Sequence, residues 1–311
     1  MELQHLRSFL AVARGGGYAK AAEALHRTQP AVTAAVQSLE KELRRPLLER
    51  RGRRAVLSPA GRALLAEAGP LLDQWEKVSD RLTERLEGDF RGELRIGAGE
   101  SATLYVLPAL LGAFQRKHPH VRLVIHHQRA DETLRMIRSG ELDFGVRPLT
   151  TVPEWADYRP LRSYKRLVVC APKHPFGRHR GPVTLKQMAE HPILFPGSQS
   201  ITRILMEGAL SRAGLAYRVG LEAGGWEAIK TYAAAGLGVA VVPDICLRPA
   251  DRRRLAVRDA SPLFGHDAQG IVTRRGAQFS RSAQAVLLAL DPEFPFQEKP
   301  RGEIRLKGAF K

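Results

Sequence analysis

Three polar side chains, Gln29, Thr33 and Gln37, recur at intervals of four residues near the start of the chain. Residues four apart share one face of a helix. A glutamine amide can form two hydrogen bonds with adenine, and the threonine methyl can contact the methyl of thymine. These side chains therefore have the chemistry to read base edges, with Lys20 and Thr28 placed for phosphate contacts.

The surrounding sequence predicts two helices joined by a tight turn. Apolar residues recur at helical spacing within 18–25 and again within 32–39. Thr28 is a suitable N-cap for the second helix, and Pro30 falls in its first turn, where a missing N–H costs little. Small alanine side chains would let the helices cross closely. This is the pattern of a helix-turn-helix that contacts DNA; an ordinary pair of helices in a helical domain is the alternative.

An arginine-rich hairpin is predicted directly after these helices. Two short strands, about 47–50 and 54–57, flank a tip that carries Arg51 and Arg53. Arginine can pair with phosphates or enter a narrow minor groove. The segment therefore predicts a DNA-binding wing, with a solvated basic loop as the alternative.

A long helix is predicted to begin at Pro59, after the N-cap Ser58, and to extend to about residue 86. Apolar residues recur along it at intervals of three and four, as in a seam between helices. Such a rod beside a DNA-binding unit indicates dimerisation, with packing against the chain's own body as the alternative. Interior proline disrupts a helix, so a kink is expected at Gly69–Pro70. The residues assigned to dimerisation are Leu65, Leu72, Trp75 and Leu82.

After residues 88–92 the pattern changes to strands that alternate with helices, which is typical of a parallel α/β sheet. Two successive sets of elements predict two lobes, and residues 292–311 are interpreted as an extended tail. The predicted strands are 93–97, 121–126, 143–146, 167–171, 193–195, 217–222, 239–242 and 269–273. The predicted helices are 103–117, 131–139, 184–190, 201–213, 225–235 and 279–290.

The composition bounds these interpretations. A net charge of +17 over 311 residues favours a polyanionic partner, and 11 Lys+Arg against 5 Asp+Glu in residues 1–60 leave much of the excess elsewhere. No apolar run approaches the roughly 20 residues of a membrane span, and the first residues lack the features of a secretory signal. A cytoplasmic protein without membrane contact is expected. Cys170 and Cys246, far apart, are predicted to be reduced and buried.

The order of these units resembles that of the LysR-type transcriptional regulators. The matching segments are Leu6–Leu10, Ala21–Leu25, Thr28–Ala31, Leu39–Leu43, Pro46–Arg50, Leu57–Gly61, Gly92–Gly97, Leu107–Pro108, Gly140–Asp143 and Ala235–Val239. The segments Ile229–Tyr232 and Gly236–Val239 also resemble the CysB branch, which senses sulfur-metabolism signals.

The resemblance implies a multidomain α/β fold. An N-terminal winged helix-turn-helix domain (1–58) is followed by a linker or dimerisation helix (59–88). A two-lobed α/β domain similar to periplasmic binding proteins (92–291) and a C-terminal tail (292–311) complete the chain. Lobe I is expected at about 92–162 and 268–291, and lobe II at about 163–267.

In this family the effector lies between the lobes, where helix N-termini favour anions. A carboxylate at Glu100 departs from the family pattern and disfavours a bare dianion such as sulfate, unless Arg147 or Arg203 pairs with it. An amine-bearing effector is then an alternative. The residues expected to contact the effector are Glu100, Ser101, Thr103, Arg147, Thr150, Ser198, Gln199, Ser200, Thr202 and Trp226.

The resemblance implies a sequence-specific regulator, not an enzyme, with no cofactor. Its expected partners are double-stranded DNA, a small-molecule effector linked to sulfur or amino-acid metabolism, and further copies of itself in a homodimer or homotetramer. A regulator whose C-terminal domain only oligomerises, and a cytosolic solute-binding protein or enzyme, are the alternatives. The histidines at 118, 120, 126 and 127 lack nearby acidic or cysteine ligands, so no metal site is predicted.

Overall fold

The computed structural model describes residues 1–51, 54–76, 78, 82, 90–198 and 200–296. An N-terminal unit of three helices and one hairpin, which we call the head, precedes a long helix and a larger α/β domain. The elements of the head and the long helix are α1 (Leu3–Gly15), α2 (Tyr18–Ala24), α3 (Gln29–Leu43), β1 (Leu48–Arg51), β2 (Arg54–Leu57) and α4 (Pro59–Glu76).

Apolar side chains of α1, α2 and α3 hold the head together, and those of α2 and α3 follow the stripes predicted from the sequence. Phe9 of α1 packs with Val32 and Val36 of α3, and all three side chains are fully buried. The helix α3 begins where expected, since Thr28 Oγ1 accepts a hydrogen bond from the N–H of Ala31 at 3.4 Å. A hydroxyl at this position satisfies one of the helix's unpaired N–H groups.

The hairpin is fastened to both neighbouring helices. Glu40 of α3 accepts hydrogen bonds from the N–H groups of Leu47 and Leu48, at 2.6 and 3.1 Å. Ser58 caps α4 by accepting from the N–H of Gly61 at 3.0 Å. A Cβ on Gly61 would lie 2.0 Å from the Leu47 carbonyl oxygen, so only glycine allows α4 to start this close to the hairpin.

The register predicted for the dimerisation seam of α4 is wrong at two positions. Leu65 and Leu72, 7% and 3% exposed, pack into the core of the head because they share a helix face with Ala68. Exposed apolar side chains, which we call the exposed seam, lie on a different side of α4 and beyond its end at Glu76. They are Leu71, Trp75, Val78 and Leu82, at 65%, 59%, 54% and 55% exposure. Pro70 lies inside α4 and does not end it; the kink stays a prediction.

The head also contacts the α/β domain. The Nη2 of Arg14, in α1, donates a hydrogen bond to the carbonyl oxygen of Ser139 at 2.9 Å. A Cβ on Gly69 of α4 would lie 2.7 Å from the same oxygen. The small residue therefore lets α4 lie against this point of the domain.

One nine-stranded sheet organises the α/β domain, in the order β4-β3-β5-β11-β6-β9-β7-β8, with β10 paired to β6. The strands are β3 (Gly92–Ala98), β4 (Val121–His127), β5 (Phe144–Arg147), β6 (Ala156–Cys170), β7 (Pro192–Phe195), β8 (Arg218–Glu222), β9 (Val239–Pro243), β10 (Ala256–Asp259) and β11 (His266–Arg274). The helices are α5 (Leu107–Lys117), α6 (Ala130–Arg138), α7 (Pro175–Arg178), α8 (Leu185–Ala189), α9 (Ile201–Arg212), α10 (Trp226–Ala234), α11 (Asp251–Arg254), α12 (Ser261–Phe264) and α13 (Arg281–Leu290).

The sheet is mixed, whereas the alternation of strands and helices predicted a parallel one. β3 pairs in parallel with β4 and β5, and β7 with β8 and β9, but every pairing of β6 and β11 is antiparallel. The long strand β6 joins the two lobes: residues 156–165 pair with β11, and residues 166–170 pair with β9 and β10. Lobe I contains β3, β4, β5 and β11, and lobe II contains β7 to β10.

Alternation of side chains explains why lobe II is buried on both faces of its sheet. Val239 and Val241 of β9 point to one core, and Ala240 and Val242 point to another. Strands that are buried on both faces have continuous apolar runs in their sequence. The architecture confirms the predicted fold class. In the described part of the chain, no helix has both the length and the apolar character to cross a membrane.

Candidate DNA-binding surface and effector cleft

The predicted base-reading residues lie on the outward face of α3. Gln29 and Gln37 are exposed and Thr33 is half-buried, while the opposite face of the helix is buried in the head. The Thr33 hydroxyl donates to the Gln29 carbonyl at 2.9 Å, which leaves the methyl as the group of Thr33 suited to a thymine contact. Three further predicted contacts, Lys20, Thr28 and Pro30, are also exposed.

The hairpin predicted as a wing lies next to the C-terminal end of α3, where Glu40 accepts hydrogen bonds from Leu47 and Leu48. Arg51 ends β1 and pairs across the hairpin with Arg54. Arg53, the other predicted phosphate contact, lies outside the described residues. The helix face and the hairpin together form a candidate DNA-binding surface.

The candidate effector cleft begins at the carboxyl edge of the lobe I sheet. β3 and β5 are parallel neighbours, with Ala98 opposite Val146, so the chain segments that follow them lie side by side. The N–H of Gly99 donates to the Val146 carbonyl at 3.1 Å. Glu100, Ser101 and Arg147 therefore lie at one edge of the sheet.

Contacts between described residues cross from lobe I to lobe II at this edge. The backbone N–H of Trp226, the first residue of α10, donates to Glu100 Oε1 at 2.5 Å. The Tyr105 hydroxyl donates to Glu227 Oε1 at 2.6 Å, and Ser101 Oγ lies 3.6 Å from Cys246 Sγ. A carboxylate from one lobe thus satisfies the N-terminus of a helix in the other.

Burial governs the electrostatics of these crossing residues. It raises the pKa of Glu100, although the Trp226 N–H opposes the shift. Burial and the bond to Glu227 also raise the pKa of Tyr105. Both side chains therefore keep their protons more readily than they would in water.

A buried ion pair supports the lobe II side of the cleft. Lys230 of α10 is fully buried, and its Nζ donates to Asp251 Oδ2 at 2.6 Å, to the Cys246 carbonyl at 2.7 Å and to Glu227 at 3.0 Å. Burial alone would raise the pKa of Asp251, but bonds from Lys230 and Arg254 hold that pKa at about 2. Sequence reasoning missed this group, because nothing in the sequence pairs Lys230 with Asp251.

Arg147 has a different environment. Its Nη1 donates to Thr133 Oγ1 at 2.8 Å and to the Gln128 carbonyl at 3.3 Å, but its buried Nε has no partner in the described part of the chain. The side chain is 9% exposed, and burial lowers its pKa to about 10.

The other predicted effector contacts lie on segments that follow strands of both lobes. The Ala223 N–H donates to the Phe195 carbonyl at 3.1 Å, which brings the loops after β7 and β8 together. Arg203, proposed as a partner for a dianion, is engaged by Glu207 at 2.9 Å and Glu222 at 2.6 Å. Of the remaining positions, Ser198 and Thr150 are exposed, Ser200 is half-buried, Thr202 is buried, and the hydroxyl of Thr103 bonds the Gly99 carbonyl. Gln199 lies outside the described residues.

The two cysteines are free and buried, as predicted. Burial raises the pKa of Cys170 to about 11 and also raises that of Cys246, so neither is an activated thiolate. His118 stacks on Phe90, with ring centroids 4.1 Å apart. Within the described ranges, no three histidine, cysteine or acidic side chains converge as metal ligands would.

Comparison with known proteins identifies the family that shares this architecture. Residues 3–62 match the family model described as "Bacterial regulatory helix-turn-helix protein, lysR family", and residues 87–294 match "LysR substrate binding domain". The chain is 31% identical to the SDS degradation transcriptional activation protein of a Pseudomonas species, over 92% of this chain and 94% of that one. It is also 31% identical to the RuBisCO operon transcriptional regulator of Allochromatium vinosum, over 98% and 99% of the two chains.

A solved structure shows the same fold. Full-length OxyR from Pseudomonas aeruginosa superposes with a TM-score of 0.71 at 23% identity, covering 92% of this chain and 96% of that one. The two family models together span most of the chain, in the order that the head and the α/β domain require. The chain therefore belongs to the LysR family of bacterial helix-turn-helix transcriptional regulators.

Proposed function

We propose that the protein binds a specific DNA sequence through α3 and the wing, and that a small molecule in the cleft between the lobes controls this binding. The observation that carries the proposal is the division of α3 into a buried face and an exposed face with Gln29, Thr33 and Gln37. Members of the family are regulators and not enzymes, and we place this one in the cytoplasm, where its DNA lies.

Footprinting on the intergenic DNA upstream of its own gene, across a salt series, tests the DNA-binding part. We expect a protected interrupted palindrome and a steep loss of affinity with salt. Salt-sensitive binding without a preferred site would contradict the proposal.

Amino-acid substitutions can separate recognition of the base sequence from binding to the phosphates. Gln29→Ala and Thr33→Ala should relax preference at single base pairs, each by about 1–3 kcal/mol. Arg51→Ala and Arg53→Ala should weaken binding to every sequence and reduce the salt slope by about one per lost phosphate contact. Ser38→Ala, exposed on another side of α3, is the control. Equal losses on every sequence for both classes would refute the division.

The exposed seam of α4 supports a dimer. A contiguous strip of large apolar side chains left in water marks an interface, and two heads joined this way would place their α3 helices in successive major grooves. Trp75→Glu should lower the oligomeric state measured by light scattering. Leu288→Glu, at an exposed leucine of α13, should not. An unchanged oligomer in Trp75→Glu would exclude this seam. A tetramer formed from two such dimers is the assembly we propose.

The origin of the effector in metabolism is a separate proposal. Resemblance to the CysB branch, including 28% identity over 91% of this chain to CysB of Burkholderia cenocepacia, favours an effector from sulfur or amino-acid metabolism. The relatives named for SDS degradation and the RuBisCO operon favour other inputs. Transcript changes on sulfur limitation, compared between wild type and a deletion strain, would decide between them.

A further inference from the structure

A segment of lobe II between β6 and α8, residues 171–182, carries positive charge without acidic neighbours in the sequence. It contains Lys173, Arg178 and Arg180 together with two histidines, and residues 171–189 include no Asp or Glu. All three cationic side chains are exposed, and none of them forms an ion pair with a described residue. We call this segment the cationic loop.

The lack of carboxylate partners distinguishes the cationic loop from other basic parts of the surface. Several exposed arginines elsewhere in the α/β domain pair with carboxylates, among them Arg129 with Asp131 and Arg135 with Glu132. Like charges that are held close together repel one another, and this repulsion opposes the compact state. The cationic loop therefore keeps a local charge that the described chain does not neutralise, which fits a negatively charged partner.

The cationic loop is anchored to the body of lobe II through α7. Phe176 of this helix is fully buried in the lobe II core, and its N–H donates a hydrogen bond to His174 Nδ1 at 3.2 Å. A Cβ on Gly177 would lie 2.9 Å from the Cβ of Ala256, so glycine lets α7 lie directly against β10. Arg178, the last residue of α7, is thus presented from a packed helix.

Arg258 of β10 fastens the other end of the cationic loop and adds to its charge. Its Nη1 donates to the Phe176 carbonyl at 3.3 Å, and its Nη2 donates to the carbonyls of Gly181 and Pro182 at 2.8 and 3.4 Å. These acceptors are neutral, so a fourth positive charge lies beside the three exposed ones. Because the loop is already ordered, little conformational entropy remains to be lost when a partner binds.

The donor geometry favours phosphate groups as that partner. A guanidinium can donate two parallel hydrogen bonds to a phosphate, and an ammonium binds phosphate as a point charge. Lys173 and Arg178 flank the four-residue helix α7, which is about 6 Å long. Double-stranded DNA carries a negative charge about every 1.7 Å along its axis, so more than one phosphate would lie within reach of the loop.

DNA is also the polyanion that this chain already holds. Binding through the head would make a second contact to the same duplex intramolecular, so even a weak contact would be populated. An acidic protein would have to be recruited by the cationic loop alone. We propose that the cationic loop binds the phosphate backbone of DNA flanking the site that the head occupies, without reading its sequence. This proposal rests on the proposed DNA binding by the head.

Two duplexes test the proposal with the full chain. The short one covers only the footprint, and the long one extends it on both sides by three helical turns of unrelated sequence, about 30 base pairs each. Affinity is measured across a salt series. The wild type should bind the long duplex more tightly, with a salt slope steeper by about two to three, since each phosphate contact contributes about 0.9.

A triple substitution removes the exposed charges of the cationic loop. Lys173→Gln with Arg178→Gln and Arg180→Gln should abolish the difference between the duplexes and keep the affinity for the short one. The matched control, Arg116→Gln with Lys117→Gln and Arg212→Gln, removes three exposed charges from α5 and α9 and should keep the difference. If the triple variant is unstable, Arg180→Gln alone should still lower the slope on the long duplex by about 0.9.

Four results would overturn the proposal. They are equal binding of both duplexes by the wild type, equal weakening on both duplexes in the triple variant, the same loss in the control, and lost transcriptional regulation with unchanged binding to both duplexes. The last result would identify an acidic protein as the partner. Sequence-specific binding to the short duplex would leave the function proposed for the head standing in each case.

Discussion

Lys230 and Arg147, the buried cations on opposite sides of the cleft, have opposite environments. Lys230 in lobe II is surrounded by Asp251, Glu227 and a backbone carbonyl, so its charge is balanced within the chain. Arg147 in lobe I has only a hydroxyl and a carbonyl among the described residues. Lobe II therefore neutralises its buried cation with its own carboxylates, whereas among the described residues the buried Arg147 of lobe I contacts only neutral groups.

The largest expected effect on stability comes from removing the charge of Lys230. Lys230→Met should lower the free energy of unfolding by up to about 3 kcal/mol, because it leaves the buried Asp251 with only the half-exposed Arg254 as a counter-ion. Urea unfolding of the full chain measures this. Lys165→Met is the matched control, since Lys165 pairs with Asp259 at 2.8 Å on the exposed surface and should change stability little. Equal effects of the two substitutions would remove the distinction between them.

The pH dependence of Asp251 gives the next effect. Its pKa in the folded chain is about 2, below the ordinary 3.8, so the carboxylate stabilises the fold above pH 4. This contribution, about 2 kcal/mol, is lost as the pH falls from 4 towards 2. Asp251→Asn should remove that part of the acid dependence in unfolding curves recorded between pH 2 and 5. An unchanged curve would show that the pair is not ionised as described.

A smaller effect is expected where the lobes meet. Burial raises the pKa of Glu100, so ionisation of this carboxyl costs stability as the pH rises through that pKa. Glu100→Gln keeps an acceptor for the Trp226 N–H and removes the charge, so stability at pH 7 should be unchanged or slightly higher. Glu100→Leu loses the acceptor and should cost about 1–3 kcal/mol. If Glu100→Gln were as destabilising as Glu100→Leu, the charge itself would hold the lobes together.

The head was predictable because its information is local. Thr28 and Ser58 cap their helices three residues away, and the apolar stripes of α2 and α3 follow helical spacing. The structure has each of them in the expected place. The seam of α4 shows the limit of this reasoning. That helix is apolar on two sides, and sequence spacing does not say which side the head will cover.

The cleft was predictable only in part, because its contacts join distant segments. The loops after β3 and β5 lie at one edge of the sheet, and the resemblance assigned residues of both loops to the effector site. The contact of Lys230 with Asp251 depends on how α10 packs on α11, and the sequence pattern does not contain it. The first ten residues of β6 were also missed, since they are rich in arginine, tyrosine and lysine and lack an apolar run.

The contact between Ser139 and the head has a mechanical consequence. The helix α6 is a stiff rod of about 13 Å, with Thr133 held by Arg147 near one end and Ser139 held by Arg14 just past the other. Gly69 keeps α4 in touch with that same far end. Through α6, the residue Arg147 in lobe I is thus connected to α1 and α4 by contacts within one chain.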